Sequence, residues 1–469
     1  MYKKILAILI AFLPVAAQAA ELDGAQLAVW WGVPFMGLLL SIALGPLLAP
    51  TFWHHHFGKI TVVWSLAFLI PCALAFGVPT AAAGVVHAFM AEYFPFIILL
   101  LALFVVAGGI CLRGNLHGTP ALNTGLLAIG TLLASLMGTT GASMLLIRPL
   151  IRANDNRKHV VHIVVFFIFL VANAGGALTP LGDPPLFLGF LKGVDFTWTL
   201  KNIFGETMFM WGSLLLIFYC LDRFYFHKRE EEFAPSLDPT PDDAKLRFEG
   251  KFNFVLLAVV VLLVLMSGFW KPGITYDIYG TPVELQNLLR DGLLVVVILA
   301  SLWLTPKIAR EGNDFGWGPI LEVAKLFAGI FVTIAPVIAM LRAGEHGAFG
   351  MVVSAVTGAD GQPNNIMYFW ATGILSSFLD NAPTYLVFFN TASGNAVELM
   401  TTLGATLAAI SCGAVFMGAN SYIGNAPNLM VKAIAEERGI RMPSFFGYMG
   451  WACVVLLPLF VIMTLIFFR

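Results

Sequence analysis

Two acidic residues, Asp183 and Asp380, lie inside long apolar runs where a membrane-spanning helix would otherwise continue. Ionisable side chains at that depth are costly, and those that occur there are usually functional. A buried carboxyl group binds a cation when it is ionised and a proton when it is neutral. Competition between Na⁺ and H⁺ for one carboxylate is sufficient for ion exchange, so these two acids are candidate coupling groups.

Polar and helix-breaking residues interrupt the segments around these acids. One interruption, 173–189, reads NAGGALTPLGDPPLFLG, and another, 418–428, reads GANSYIGNAPN. An offset of 242 residues superimposes them. The aligned pairs are Gly176 with Gly418, Gly182 with Gly424, Pro185 with Pro427, Thr179 with Ser421 and Asp183 with Asn425. The same offset places Ser135 of SLMGTTGAS on Ser377 of SFLDNAPT, which indicates an internal repeat.

The composition is that of a membrane protein. Of the 469 residues, 59% are hydrophobic and 11% are charged, whereas soluble proteins carry about 25% charged residues. We therefore expect an all-α polytopic protein whose surroundings are the lipid bilayer. A net charge of −1 without a basic patch argues against a nucleic-acid partner. No Ser-His-Asp order, Walker loop or zinc spacing occurs, so an enzyme fits poorly, and we expect no cofactor besides transported or coupling Na⁺ and H⁺.

The first 24 residues combine two lysines, a short apolar core and an Ala17-x-Ala19 step. This pattern predicts a signal peptide, 1–19, that is cleaved after Ala19; an uncleaved anchor is the alternative. In both cases residues 20–26 should lie outside. We therefore expect a multi-pass protein of a bacterial inner membrane with its mature N-terminus outside.

The apolar segments form two similar halves joined by a charged cytoplasmic linker, 227–251. The first half, 27–226, has predicted spans near 27–48, 59–77 and 94–113, a re-entrant hairpin at 122–153, a broken helix at 160–194 and a returning span at 198–226. The second half, 252–468, has predicted spans near 252–270, 291–306 and 321–342, a hairpin at 365–393, a broken helix at 397–434 and a last span near 445–468. Basic residues at both ends of the first hairpin indicate that it enters and leaves on the cytoplasmic side.

Five crossings and one hairpin in each half make an odd number of crossings, so the second half should have the opposite orientation. Such inverted-topology repeats with discontinuous helices are typical of secondary transporters. The Asp183-Pro184-Pro185 and Asn425-Ala426-Pro427 steps predict helices that restart in mid-membrane. The N–H groups at such starts attract anions, and the unwound carbonyls beside them suit Na⁺.

The second hairpin contains a similar restart, Asp380-Asn381-Ala382-Pro383. Because Asp380 precedes the expected cap residue Asn381, its side chain should be free, and we favour it as the coupling acid that would bind Na⁺. Asp183 either caps its half-helix or shares that role. The full set of candidate substrate- and ion-binding residues is Ser135, Thr139, Thr140, Asn173, Thr179, Asp183, Ser377, Asp380, Asn381, Thr384, Asn420, Ser421 and Asn425.

Three adjacent histidines, His54, His55 and His56, suggest a metal site by their residue type. Consecutive residues of a helix point in different directions and do not converge on one ion. We therefore interpret 51–59 as a solvated loop at the membrane interface.

The motifs TPLGDPPLFLGFL with NAGGA before it, SSFLDNAPTY and GANSYIGNAPN resemble the ion transporter superfamily. The most similar groups are the CitMHS-like citrate transporters and the NhaD-type sodium/proton antiporters. The resemblance covers nearly the whole chain beyond the signal peptide. It implies an elevator-like or rocking motion of the hairpin domain and a homodimer built on the first spans of each half.

The hairpin tips depart from those of the sodium/dicarboxylate relatives, whose Ser-Asn-Thr motifs hold carboxylates and Na⁺. The first tip here has no Asn, the second carries Asp380, and neither break contains Arg or Lys. An anionic tip would repel citrate unless a cation bound first. We therefore prefer Na⁺/H⁺ antiport through Asp380 and Asp183; Na⁺- or H⁺-coupled symport of citrate or another di- or tricarboxylate remains the alternative. A basic residue folded against the breaks would favour the anion.

Overall fold

The computed structural model describes residues 22–114, 116–227, 246–358 and 361–469. The predicted signal peptide and residues 228–245 of the predicted linker lie outside the described residues. Within the described ranges, nine helices are long and apolar enough to cross a membrane, and a pair bent by 43°, Gly318–Thr333 and Ala335–Arg342, counts as a tenth. The chain is therefore a mostly helical, multi-pass membrane protein.

The first half begins with a 3₁₀ turn, Val29–Gly32, and three long apolar segments. These are α1 (Val33–Leu48), α2 (Pro50–Phe76), and α3 (Val78–His87) continued through a π-helical turn (Ala88–Tyr93) into α4 (Phe94–Ala107). The helices that follow are α5 (Pro120–Met137), α6 (Thr139–Ala153), α7 (Val161–Leu170), α8 (Pro184–Leu191), α9 (Trp198–Asn202) and α10 (Phe204–Tyr225). A 3₁₀ turn, Ala174–Leu178, lies between α7 and α8.

The following helices lie in the second half of the chain. They are α11 (Phe252–Phe269), α12 (Leu285–Leu304), α13 (Lys307–Gly312), α14 (Gly318–Thr333), α15 (Ala335–Arg342), α16 (Gly350–Ala355), α17 (Asn365–Phe378), α18 (Asn381–Ala392), α19 (Ala396–Met400), α20 (Gly404–Met417), α21 (Ala426–Glu437) and α22 (Phe445–Phe467). A short 3₁₀ turn, Gly418–Asn420, follows α20. Two small antiparallel sheets complete the described fold: β1 (Cys111–Arg113) pairs with β2 (Arg247–Glu249), and β3 (Thr275–Ile278) pairs with β4 (Thr281–Glu284).

The histidine triplet lies in a helix, so the prediction of a loop at 51–59 is wrong. Helix α2 already begins at Pro50, a residue that suits the first turn of a helix. His55 and His56 each contact, through Nδ1, the backbone carbonyl four residues earlier. The described residues contain no group of three His, Cys, Asp or Glu side chains that could hold a metal ion.

Two helices, α7 and α20, form the centre of the molecule. Both are apolar around their whole circumference, and nearly every side chain in them is buried. A helix that is hydrophobic on all sides is stable only when other helices surround it. Each of the two ends at a stretch of irregular backbone rather than continuing through the membrane, and this places the irregular backbone deep in the protein.

The two halves interlock at these breaks. Helix α6 packs against α21 of the other half, and α18 packs against α8. Helices α5 and α6 are separated only by Gly138, whose φ of +80° lies in the region that favours glycine. The packing of these helices brings the starts of α6, α8, α18 and α21 to one place in the core.

Candidate ion-binding site

In each of the two unwound segments, two stretches of backbone approach each other closely. A pair of glycines lies at the point of contact in each segment. A Cβ built on Gly182 would lie 2.2 Å from the carbonyl oxygen of Gly176, and one on Gly424 would lie 2.5 Å from that of Gly418. Atoms do not approach that closely, so only glycine allows these backbones to touch. The two glycine pairs occupy equivalent positions in the two halves.

Hydroxyl groups tie each unwound segment to the neighbouring helix pair. Thr179 donates to the carbonyl oxygen of Ser135, and Ser421 donates to that of Ser377 at 2.5 Å. Ser135 itself donates to Gly175 O at 2.5 Å, and Ser377 donates to the matching Met417 O at 3.1 Å. The repeat that the sequence indicates is therefore accompanied by the same hydrogen bonds in both halves. These four predicted residues hold the backbone and do not contact either acid.

Asp183 lies at the centre of the site with only 1% of its surface exposed. Its Oδ2 accepts a hydrogen bond from Asn381 Nδ2 at 2.6 Å. Its Oδ1 accepts from Thr139 Oγ1 at 3.3 Å and from Asn425 Nδ2 at 3.2 Å. Thr139 and Asn381 are the first residues of α6 and α18, while Asp183 and Asn425 directly precede α8 and α21. Four helix starts thus meet at one carboxyl group.

A chain of buried amides extends from this carboxyl group. Asn425 also donates to Asn173 Oδ1 at 3.3 Å, and Asn173 donates to Asn428 Oδ1 at 2.7 Å. Asn428 donates in turn to the carbonyl oxygens of Gly418 and Ser421, both at 2.9 Å. The sequence-based prediction omitted Asn428 although it ends the quoted GANSYIGNAPN segment. Its counterpart in the first half is Leu186, so comparison of the halves did not draw attention to it.

Asp380 has a different environment from the one expected. Its carboxylate accepts the backbone N–H of Ala382 at 3.0 Å and so caps α18, and its side chain is only partly buried. The expectation that Asn381 is the cap and leaves Asp380 free is wrong, because the helix starts at Asn381, one residue earlier than expected. Asp183 makes no capping hydrogen bond to α8. Of the two acids, Asp183 is thus the one whose carboxylate does not cap a helix and instead accepts hydrogen bonds from side chains.

Asn381 has a spare acceptor beside this carboxylate. Its Nδ2 donates to Asp183, whereas its Oδ1 is buried and has no hydrogen-bond partner. A buried carbonyl oxygen without a donor carries a desolvation cost that a cation or an O–H group would relieve. Asn381 Oδ1, the Asp183 carboxylate and the Thr139 hydroxyl are the oxygen groups that this cluster contains.

The remaining predicted residues lie around this centre without reaching Asp183. Thr384 donates to the carbonyl oxygen of Asp380 at 2.9 Å, within α18. Asn420 donates to Ser377 Oγ at 2.9 Å. Thr140 is half-buried, at the second position of α6. They complete the walls of the site but contribute no direct contact to the carboxylate.

The contacts of the two acids with basic residues bear on the choice of substrate. In the parts of the chain that the structure describes, no Lys, Arg or His side chain hydrogen-bonds or ion-pairs with Asp183 or Asp380. The basic side chains on the surrounding helices have other partners: Lys192 contacts Glu92, Arg342 donates to Asn390 at 2.9 Å, and Arg148 lies 3.6 Å from Asp314.

Comparison with known proteins indicates transport. A family model described as "Putative citrate transport" matches residues 24–468. The chain is 22% identical over 354 residues to "Uncharacterized transporter slr0753" of Synechocystis sp., an alignment that covers 71% of this chain and 74% of that protein. It is 23% identical over 332 residues to a "46 kDa membrane protein" of Mycobacterium leprae, covering 69% of this chain and 71% of that protein.

Proposed function

We propose that this chain, which belongs to the "Putative citrate transport" family, exchanges Na⁺ for H⁺ at Asp183. Because it belongs to this family, the chain is a membrane transporter. This membership fits a protein that is not an enzyme. The observation that carries the choice of substrate is the Asp183 carboxyl group, which is buried and surrounded by neutral donors from three helices.

The argument is electrostatic. An ionised carboxylate in the protein interior is expensive unless a positive charge compensates it. Thr139, Asn381 and Asn425 orient the group but supply no charge. A bound Na⁺ or a proton on the carboxyl group therefore has to neutralise it. Because the two cannot occupy one carboxylate together, each displaces the other, and this competition couples their movements.

Asn381 suits both states of the exchange. When Asp183 is ionised, the amide nitrogen of Asn381 donates to it, as at present. When Asp183 is protonated, a half-turn of the amide presents the free Oδ1 to the acid's O–H group. The site thus satisfies the carboxyl group in either form. Asp380, which caps the same helix, is a second carboxyl group close to the site.

We further propose that the two halves are inverted repeats in a bacterial inner membrane, with the mature N-terminus outside. The α5–α6 and α17–α18 pairs would be hairpins that enter from opposite sides. The matching hydrogen bonds of the two breaks support the repeat. Arg148 and Arg152 on α6, against only Arg342 near the other hairpin, support opposite orientation by the positive-inside rule.

Cation-coupled uptake of citrate or another di- or tricarboxylate is the second candidate. The description of the family favours it, and four helix N-termini at one place could bind carboxylate oxygens. Among the residues that the structure describes, no basic side chain pairs with Asp183 or Asp380, and this weighs against an anion as the main substrate.

Purified protein in liposomes with an internal pH dye and an imposed proton gradient distinguishes the candidates. Na⁺, Li⁺ and K⁺ are added first, followed by citrate and succinate at constant cation concentration. Dissipation of the gradient by Na⁺ or Li⁺ alone is the expected result. No response to cations, together with cation-dependent uptake of labelled citrate, would reject the antiporter in favour of the symporter. Liposomes with the Asp183→Asn variant serve as the control.

A further inference from the structure

Helix α8 is held at both ends by charged residues. Asp183 precedes its first residue, and Lys192 follows its last residue, Leu191. With a rise of 1.5 Å per residue, the eight residues of α8 separate these ends by about 12 Å. Lys192 Nζ pairs with Glu92 Oε1, a carboxylate that the π-helical turn between α3 and α4 presents. The helix that positions the site carboxylate is thus tied by an ion pair to a different helical segment.

This ion pair is largely shielded from solvent. The Lys192 side chain is 20% exposed and that of Glu92 is 8% exposed. By contrast, the Arg148–Asp314 pair is longer, at 3.6 Å, and its acid is 79% exposed. An exposed pair contributes little, whereas removing one partner of a buried pair leaves a costly charge behind. Of these two contacts, the Lys192–Glu92 pair is the stronger constraint.

Aromatic side chains of α8 and α4 also contact each other. Phe187 of α8 lies against Phe96 of α4, with ring centroids 6.3 Å apart, and Phe96 stacks on Phe327 of α14. Apolar faces tolerate sliding because dispersion contacts have no strict direction, while an ion pair demands one geometry. The ion pair therefore fixes the position of this end of α8 relative to the π-helical turn.

A cavity of about 670 Å³ opens beside the pair. Its lining includes Lys192 and Gly193 after α8, Ala91 next to Glu92, and Ile98 on α4. On its other side the cavity is bounded by α12 and the β3–β4 sheet. The end of α8 therefore faces open space and has room to move once the pair separates.

We propose that Glu92 and Lys192 form a gate pair: they position α8 in the conformation where Asp183 is closed off, and they separate when the site opens. The proposal rests on the transport function proposed above. At 1% exposure, Asp183 is out of reach of ions in this conformation, and alternating access requires one group of helices to move against another around the site. Glu92 and Lys192 are positioning residues, since neither contacts Asp183.

The test measures access to the cavity rather than transport. Ile98→Cys places a reporter thiol on the cavity wall, and the full-length protein in detergent is labelled with a fluorescent maleimide, with protein lacking the reporter as background. We expect Glu92→Gln and Lys192→Gln each to raise the labelling rate about tenfold. This factor corresponds to a free-energy loss between that of an exposed ion pair and that of a buried one. The charge-reversed double variant, Glu92→Lys with Lys192→Glu, should return the rate to within about twofold of the starting protein.

Glu436→Gln is the matched control, because it removes an ion pair with Lys432 that lies within the single helix α21. It should leave the labelling rate unchanged. If Glu92→Gln does not fold, Lys192→Met, which keeps most of the aliphatic stem, answers the same question. Unchanged labelling in the single variants, or no recovery in the double variant, would overturn the gate pair. Ion exchange measured on the same samples separates the two proposals: a labelling response without Na⁺/H⁺ exchange in the starting protein would reject only the proposed function.

Discussion

Replacing Asp183 with asparagine removes the charge from the site while keeping the size of the side chain. The carboxylate now accepts three hydrogen bonds, at 2.6 Å from Asn381, 3.2 Å from Asn425 and 3.3 Å from Thr139. An asparagine has one acceptor oxygen and one donor nitrogen. Its oxygen can keep the contacts with Thr139 and Asn425, and its nitrogen can donate to the free Oδ1 of Asn381 after that amide turns over.

The free-energy terms of this change nearly cancel in the ion-free protein. Turning Asn381 leaves its Nδ2 without an acceptor, which costs about 1–3 kcal/mol. Removing an uncompensated buried carboxylate gains a similar amount or more. We expect the free energy of unfolding without Na⁺ to change by less than about 2 kcal/mol. The response to Na⁺ should change much more. Na⁺ at a concentration of 100 times its Kd stabilises the native state by about 2.7 kcal/mol, and the variant should lose all of this stabilisation.

Thermal unfolding of the detergent-solubilised protein measures both quantities, in NaCl and in choline chloride of equal ionic strength. The starting protein should be more stable in NaCl, and Asp183→Asn should be equally stable in the two salts and inactive in exchange. Asp277→Asn, the same substitution at an exposed residue of β3, should retain the Na⁺ response. An undiminished Na⁺ response and normal exchange in Asp183→Asn would refute the role of this residue.

Three other substitutions test the site and its support. Asp380→Asn should lower exchange while changing the free energy of unfolding by less than about 0.5 kcal/mol, since Asn caps helices as well as Asp does; retained exchange with unchanged pH dependence would remove Asp380 from the mechanism. Asp222→Asn should destabilise the protein by about 3–5 kcal/mol in thermal unfolding, because it breaks a buried ion pair of 2.6 Å with Arg157; a loss below about 1 kcal/mol would contradict this. Gly182→Ala should cost about 1–3 kcal/mol through its clash with the facing backbone, whereas Gly212→Ala, which meets open space in α10, should not destabilise; equal effects would contradict the close approach.

The helix breaks are features that local sequence signals can predict. Gly138 lies where the backbone needs a positive φ, and the prolines after Asp183 and Asn425 suit the first turn of a helix. Such signals depend only on neighbouring residues, so they can be recognised without knowledge of the packing. The helix that contains the histidine triplet is also predictable from a local signal, because Pro50 marks the start of α2.

The partners within the site could not be predicted in this way. Asn381 and Asp183 are 198 residues apart, and their contact results from the packing of α18 against α8. The cap of α18 shows the same limit on a smaller scale: Asp380 and Asn381 are both good caps, and a shift of one residue decides which one faces the carboxylate. Asn428 has an apolar counterpart in the first half, so the repeat gave no indication of its role.

Proton release on Na⁺ binding is the measurement that tests the central claim most directly. Concentrated protein in detergent, weakly buffered, is titrated with NaCl while a pH dye reports released protons, and choline chloride controls for ionic strength. If Na⁺ and H⁺ compete for Asp183, Na⁺ should acidify the solution in a saturable manner, and Asp183→Asn should release far fewer protons or none. Saturable Na⁺ binding without proton release, or equal release from the variant, would contradict exchange at this carboxylate.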